Sequence, residues 1–447
     1  MGMTMTESIL ARRAGKDAVR AGENVWVDVD VLMTHDVCGP GTIGVFKEQF
    51  GKDAKVWDPD KIVIIPDHYI FTADARAHRN VEILREFVKE QGIRHYYDPE
   101  FLQGEGMPGP YRDPAKTGYK GVCHVALPEE GHTRPGEVLL GTDSHTCTAG
   151  AFGEFATGIG NTDAGFVLGT GKLWLKVPPT MRFVFDGQLP LYLMAKDLIL
   201  TVIGDIGCDG ATYRAMEFAG DGAMSLEIEE RMTLCNMAIE AGGKNGVIRV
   251  DAVVREFVES RTAKPWEAFD NDPDATFELE RVYRTAEIEP TIASPHSPGN
   301  CGLARDLKHV KVDRAYLGGC TGGKTTDLMA AARILKGQRV KVPTFIVPAT
   351  TGVHANMKTR CCQNVPIEKV FEDAGCQLGP ASCAACLGGP ADTFGRANEP
   401  LTCISTTNRN FPGRMGSKDA RIFLASPYTA AASAVTGHIT DPRQFLV

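Results

Sequence analysis

The chain has 447 residues, 43% hydrophobic and 23% charged, the balance of a globular protein of roughly two to four packed units and not of a disordered chain. A formal charge of -8 excludes a general nucleic-acid surface, so a small anion must be gripped by a few local arginines. The 13 cysteines and an amino terminus without an apolar signal core point to a reducing cytoplasm, and no run reaches the ~18 apolar residues of a membrane span.

Residues 1–24 read as a polar leader. Residues 25–31 alternate, with Asp28 and Asp30 between valines, and predict a strand with one wet face. Residues 33–40 form a turn that opens a helix through Phe46 and Phe50. The apolar run 61–65 has the pattern of a buried parallel strand, stopped by Pro66 just before Asp67 and His68. A carboxylate beside an imidazole favours the protonated ring, which suits a general acid, although a lone Asp-His pair more often belongs to an ordinary loop.

The spacing predicts a helix over residues 80–91, capped by Asn80, with Val81, Ile83, Leu84, Phe87 and Val88 on one side and Gly92 as its stop. Pro and Gly dominate between Tyr97 and Tyr119 and predict a surface loop or lid. Residues 121–127 predict a short strand carrying His124, by itself a packed histidine. A strand over 137–140 delivers Gly141-Thr-Asp143-Ser144-His145, so Asp and His again leave a strand end together. From Gly150 to Trp174, many glycines in a helix-like pattern predict close backbone packing, and Pro178-Pro179 ends the unit.

The pattern restarts with a strand over 181–185, a helix over 195–203, a Gly-rich turn at 204–210 and a helix opening near Ser225. Asn236 and Glu240 lie four apart on that helix and share a face. A carboxylate in such apolar company is normally paired, the alternative being a solvent-facing Glu before Gly242-Gly243. Residues 251–312 are charged, with a domain connection between Thr291 and Lys311. The expected units are 1–177, 178–311 and 312–447.

In the last unit strands are again followed by loops of small residues: 314–317 before Cys320, 344–347 before Pro348, 401–405 before Asn408-Arg409-Asn410-Phe-Pro-Gly413-Arg414, and 422–425 before Ser426. Reactive residue types at strand exits mark the ligand crevice of open parallel sheets. Arg409 and Arg414, either side of a Pro-Gly bend, form a two-point clamp for carboxylates. Cys383-x-x-Cys386 and Cys320 make three thiols, one short of a closed site. Taken alone, they fit three readings equally: a cluster or metal with a corner free for a substrate oxygen, a redox dithiol, or a structural zinc completed by Cys361 or Cys362.

Together, Asp67-His68, Gly-Thr-Asp143-Ser144-His145-Thr, Cys235-Asn236-Met237-x-x-Glu240, Gly-Cys320-Thr, Cys383-x-x-Cys386-x-Gly388 and Asn408-Arg409-Asn-Phe-x-Gly413-Arg414 resemble the aconitase superfamily, in the family's order, from about residue 25 to the carboxyl end. Within it the chain looks most like large subunits of the 3-isopropylmalate dehydratase or homoaconitase type. The resemblance implies an α/β fold of three α/β/α domains packed around an iron–sulfur site, without the family's swivelling fourth domain.

It implies a [4Fe-4S] cluster on Cys320, Cys383 and Cys386. Asp67 with His68 would serve the departing hydroxyl, and His124, Asp143, His145 and Glu240 would surround the reacting oxygen. Ser144, Asn236, Asn408, Arg409 and Arg414 would bind cluster or substrate. The implied activity is a hydro-lyase on a small 2-hydroxy dicarboxylate or tricarboxylate, with a separate small subunit bringing the fourth domain, its serine base and a further arginine. Gly319, Gly322, Cys38 and a long loop between 99 and 120 depart from the usual pattern and keep maleate, citraconate or dimethylmalate hydratases in view. A zinc-bound or RNA-binding scaffold of the same shape and a dithiol oxidoreductase are the competing readings.

Overall fold

The structure is a computed structural model and describes residues 2–100 and 117–446. The predicted lid therefore falls largely outside the described residues. Among those described, no helix is long and apolar enough to cross a membrane.

Five parallel strands form the first sheet, in the order His95–Tyr96, Ile62–Ile64, Val31–Thr34, Val138–Gly141, Phe155–Gly158. Its three central strands are buried on both faces, which is why their sequence is almost continuously apolar. Leu32, Ile62, Ile64, Val138 and Leu140 pack with Phe46, Leu84 and Val167 of three helices on one side. On the other, Val31, Met33, Val63 and Leu139 meet Cys123, Ala126 and Leu127. The run expected as one strand over 25–31 is broken in two. Asn24–Asp28 pairs antiparallel with Lys172–Lys176, and Asp30 interrupts the run, accepting from the Val138 N–H at 2.9 Å and pairing with Arg13 at 2.9 Å.

Three further local expectations give way. Part of the stretch expected as a polar leader is packed: Met5–Arg13 is a helix with Met5, Ile9 and Leu10 buried, and Thr4 and Glu7 form a reciprocal capping box. The helix expected from Asn80 begins earlier, spanning Ala75–Gln91, because Asp74 accepts from the N–H groups of Arg76 and Ala77 at 2.8 and 3.1 Å; it does end at Gly92. His124 lies not on a strand but on the helix Cys123–Glu129. The chain turns into that helix at Gly121, at φ +103°, where a Cβ would collide with the Ala349 carbonyl.

The second sheet is also parallel, in the order Asn245–Val247, Ala215–Ala219, Thr180–Asp186, Leu279–Arg284. Asn236 and Glu240 do not share one α-helix. Ile228–Asn236 ends as an α-helix at Asn236, and a tighter 3-10 turn, Met237–Ala241, carries Glu240. The close packing expected after Gly150 is present at Gly150 itself, where any Cβ would collide with the Gly246 carbonyl, although the segment is a strand, helix and strand and not one helix.

The third sheet has seven strands, in the order Cys301–Leu303, Thr291–Ala293, Arg421–Leu424, Thr402–Ser405, Arg314–Leu317, Thr344–Ile346, Gln377–Leu378. Thr291–Ala293 runs antiparallel to both of its neighbours, and the remaining neighbouring pairs are parallel. Residues 291–303, where a connection between units is expected, are thus strands of this sheet.

Strand order changes direction between Val31–Thr34 and Val138–Gly141 in the first sheet, and between Arg314–Leu317 and Thr402–Ser405 in the third. Such switch points open a crevice at the carboxyl ends of the strands. The loops leaving these four strands carry His35-Asp36, Asp143–His145, Cys320 and Asn408-Arg409.

Candidate active site

Asp36 organises the first cluster. Its carboxylate accepts the backbone N–H groups of Asp67, His68 and Tyr69 at 2.9, 3.0 and 2.8 Å, which holds the strand exit in one conformation. Asp67 is fully buried. Its Oδ1 lies 2.6 Å from His68 Nδ1 and its Oδ2 accepts from the Cys123 N–H at 2.8 Å. Burial works against a charge on His68, but the Asp67 carboxylate overrides it and raises the imidazole to about 9. The His35 ring lies on that of His68, centroids 4.5 Å apart. Burial and the neighbouring His68 lower His35, and its Nε2 is buried without a hydrogen-bond partner, 3.9 Å from Asp143 Oδ2.

Asp143 starts a second chain of contacts. Its Oδ1 accepts the His145 N–H at 2.8 Å and lies 2.9 Å from His124 Nε2 and 3.2 Å from His145 Nδ1. The far nitrogen of His145 is 2.7 Å from Glu240 Oε1, and Arg409 Nε donates to both Glu240 oxygens at 2.8 and 3.0 Å. Burial opposes the charges of Asp143 and Glu240, yet His124 and His145 hold Asp143 well below the carboxylate range, and His145 with Arg409 lower Glu240. A helix, two 3-10 turns and a strand-exit loop therefore contribute to one continuous polar line.

Cys320 sits between the helix end that carries Asn236 and the loop that carries Asn408. Asn236 and Asn408 each donate an amide N–H to its sulfur at 3.2 Å; Asn408 also donates to Asn236 Oδ1 at 3.1 Å, and Asn236 to Thr148 Oγ1 at 2.7 Å. The turn bearing Cys383 and Cys386 adjoins the first cluster, since the Cys383 N–H donates to the Asp67 carbonyl at 3.4 Å. The Cys386 thiol is lowered by a hydrogen bond from Cys383, against its burial, with Arg414 adding to the effect. Arg414 Nε is buried and has no hydrogen-bond partner. Ser144 follows Asp143 directly but takes no part in these networks among the described hydrogen bonds. Cys361 and Cys362 lie apart, on a short hairpin beside Asn356 and Arg360.

The two glycines of the Cys320 loop have steric reasons. Gly319 has φ +81° and a Cβ there would approach Cys386 Sγ to 2.8 Å, while a Cβ at Gly322 would collide with Thr406 Oγ1. These contacts bring the Cys320 loop against both Cys386 and the Asn408 loop.

An iron–sulfur group is compatible with this donor set. All 13 cysteines are free, and Cys320, Cys383 and Cys386 are 3%, 8% and 3% exposed. Two amide donors on one sulfur suit a thiolate that carries charge. A single zinc fits poorly: its thiolates stand roughly 3.8 Å apart for bonds of about 2.3 Å, and among the described residues the three sulfurs do not all lie within 4.8 Å of one another. Burial also shields Cys383 and Cys386 from the partner thiols that a redox dithiol must reach.

A family model for the aconitase family (aconitate hydratase) matches residues 7–437. The chain belongs to the aconitase family. Among members of that family, it is 61% identical to the chloroplastic 3-isopropylmalate dehydratase large subunit of Arabidopsis thaliana, over 100% of this chain and 87% of the relative. It is 43% identical to 3-isopropylmalate dehydratase large subunit 1 of Methanopyrus kandleri, over the full length of both. It is 44% identical to a probable 3-isopropylmalate dehydratase large subunit of Methanothermobacter thermautotrophicus, over 99% of each.

Three residues of this aconitase-family site escape the sequence reading: His35, Asp36 and Lys196. His35-Asp36 leaves a strand just as Asp67-His68 does, and that shared pattern was the available signal. Lys196 offered only a cation at the start of an apolar helix. Burial brings its ammonium down to about 7, against the pull of Cys320.

Proposed function

We propose that this chain is the large, cluster-bearing subunit of a hydro-lyase of the 3-isopropylmalate dehydratase type, acting on a small 2-hydroxy dicarboxylate in a reducing compartment. The observation that carries the reading is the convergence of Cys320, Cys383 and Cys386 with a His68 raised to about 9 on one side and the Asp143–His145–Glu240–Arg409 line on the other. The names of relatives that share 40% or more of the sequence over its whole length support the choice of substrate.

Cys320, Cys383 and Cys386 would hold a [4Fe-4S] cluster, which when bound supplies Lewis acidity to the hydroxyl that must leave. The protein's own part is proton placement and orientation. His68, charged at neutral pH, donates its Nε2 proton to the departing oxygen, while Asp67 fixes its tautomer and stabilises the charge. His145 and His124 are held by Asp143 and Glu240 so that their rings keep one orientation beside the reacting oxygen. Arg409 and Arg414 supply guanidinium donors to the substrate carboxylates, with the unpartnered Nε of Arg414 the clearest candidate. Ser144, Asn236 and Asn408 complete the binding set. A separate small subunit supplies the base and closes the site. The units divide close to 177 and 311, with the strands at 291–303 serving the third sheet.

The test is anaerobic reconstitution with iron and sulfide, addition of a small subunit encoded with it, and a screen of 2-hydroxy diacids for appearance of the conjugated alkene. Turnover of 3-isopropylmalate in preference to citrate, homocitrate, citramalate or dimethylmalate is expected. Iron-free protein with full activity would sink the reading.

A further inference from the structure

Lys196 opens the helix Ala195–Ile206 of the second unit and is 1% exposed. Its ammonium donates to Thr321 Oγ1 at 3.0 Å and to the carbonyls of Thr406 and Thr407 at 3.0 and 2.7 Å. Thr321 follows Cys320 directly, and Thr407 precedes Asn408, whose amide donates to the Cys320 sulfur at 3.2 Å. The same two loops are stitched a second time, because the Gly318 N–H donates to Thr406 Oγ1 at 2.9 Å and that hydroxyl donates to the Gly318 carbonyl at 3.2 Å.

All three ammonium protons thus go to neutral oxygens. The neighbouring carboxylates are committed elsewhere: Asp197 accepts from the N–H groups of Met194 and Thr291, and Asp327 pairs with Lys324 at 2.6 Å. No ion pair is formed by Lys196 among the described residues. A buried cation without a counter-charge is costly, and natural interiors pair or discharge it. The uncommitted source of negative charge on this side of the site is the thiolate set, with Cys320 one residue from a Lys196 partner.

We propose that Lys196 is the built-in counter-charge of the thiolate site: its ammonium offsets the net negative charge of three thiolates around an iron–sulfur core and ties the Cys320 loop to the Asn408 loop. It is a positioning and electrostatic residue, not one that touches substrate. The assignment rests on the cluster reading above. It differs from Lys324, whose charge Asp327 already neutralises and whose remaining donors reach Thr233 Oγ1 and the Cys320 carbonyl.

The experiment compares wild type with Lys196→Met, similar in length and uncharged, in the reconstituted two-subunit enzyme. Three quantities are read: the midpoint potential of the cluster, the rate at which iron is lost to a chelator, and KM and kcat separately. Removing a positive charge disfavours added electrons, so the variant potential is expected below that of wild type. Iron loss is expected to quicken at least tenfold, and kcat to fall more than KM rises. A variant with wild-type potential and wild-type iron retention overturns the proposal, even if it is less stable to heat, because a purely structural lysine shifts unfolding without shifting the potential. Should Lys196→Met not fold, Lys196→Gln is read in the same way. If wild type itself takes up no cluster, the functional reading fails first, and that outcome is distinct from a cluster whose potential ignores Lys196.

Discussion

At the scale of single residues, the protonation of His68 is the feature most open to test. Its folded value of about 9 stands above the ordinary 6.5, so the charged ring stabilises the fold fully below about pH 6.5 and that contribution is lost as pH rises through about 9. Catalysis that uses the same proton should keep its alkaline limb near 9. Replacing Asp67→Asn removes the carboxylate that lifts the ring and leaves burial to lower it; the alkaline limb of kcat/KM should move down by a unit or more, with activity reduced roughly 100-fold or more. An unmoved limb in a pH profile would assign the proton elsewhere. Arg409→Lys replaces a donor shared by both Glu240 oxygens with a single point charge. It should cost about 2 kcal/mol of transition-state binding, or about 30-fold in kcat/KM. Gly322→Ala pushes a methyl group into Thr406; a loss of about 1–3 kcal/mol in denaturant unfolding is expected, together with poorer iron retention.

Among the elements, the N-terminal helix shows where the sequence misleads. Thr4, Glu7, Arg12 and Arg13 make the segment look polar, yet Thr4 and Glu7 cap the helix internally while Ile9 and Leu10 are fully buried. Ile9→Ala should therefore destabilise the protein by about 2–4 kcal/mol, measured by urea unfolding, where a loose leader would tolerate it. Strands buried on both faces, such as Ile62–Ile64, were legible because a continuous apolar run ending at Pro66 has few other readings. Segment 121–127 was not: a short apolar run suits strand and helix alike, and the decision came from Gly121 passing the Ala349 backbone. The acidic and cysteine motifs could be recognised residue by residue. Their mutual geometry could not, since the bonds from Asn236 and Asn408 to Cys320 span 84 and 88 residues. Asp36 shares the strand-exit pattern of Asp67-His68, but its grip on three backbone N–H groups is not written in any residue pattern, and neither is the reach of Lys196 to the carbonyls of Thr406 and Thr407.

For the whole molecule the decisive accounting concerns a base. Dehydration removes a carbon-bound proton as well as a hydroxyl, so some group must accept that proton. The described carboxylates at the site are engaged: Asp67 with His68 and the Cys123 N–H, Asp36 with three backbone N–H groups, Asp143 with two histidines, Glu240 with His145 and Arg409. Their donors hold Asp67, Asp143 and Glu240 below the usual carboxylate range despite burial, and a proton taken up by any of the four would break its hydrogen bonds. A base supplied from outside this network is the simpler solution, and relatives named as large subunits agree with one brought by a partner chain. The reconstituted large subunit alone should then bind a hydroxy diacid, seen as a perturbed cluster spectrum, yet show less than about 1% of the turnover reached with the small subunit, the loss of a general base being worth 10²-fold or more. Turnover should rise with added small subunit to a plateau at one partner per chain. Full activity of the large subunit by itself would place the base within its own 447 residues and require one of the paired carboxylates to leave its donors.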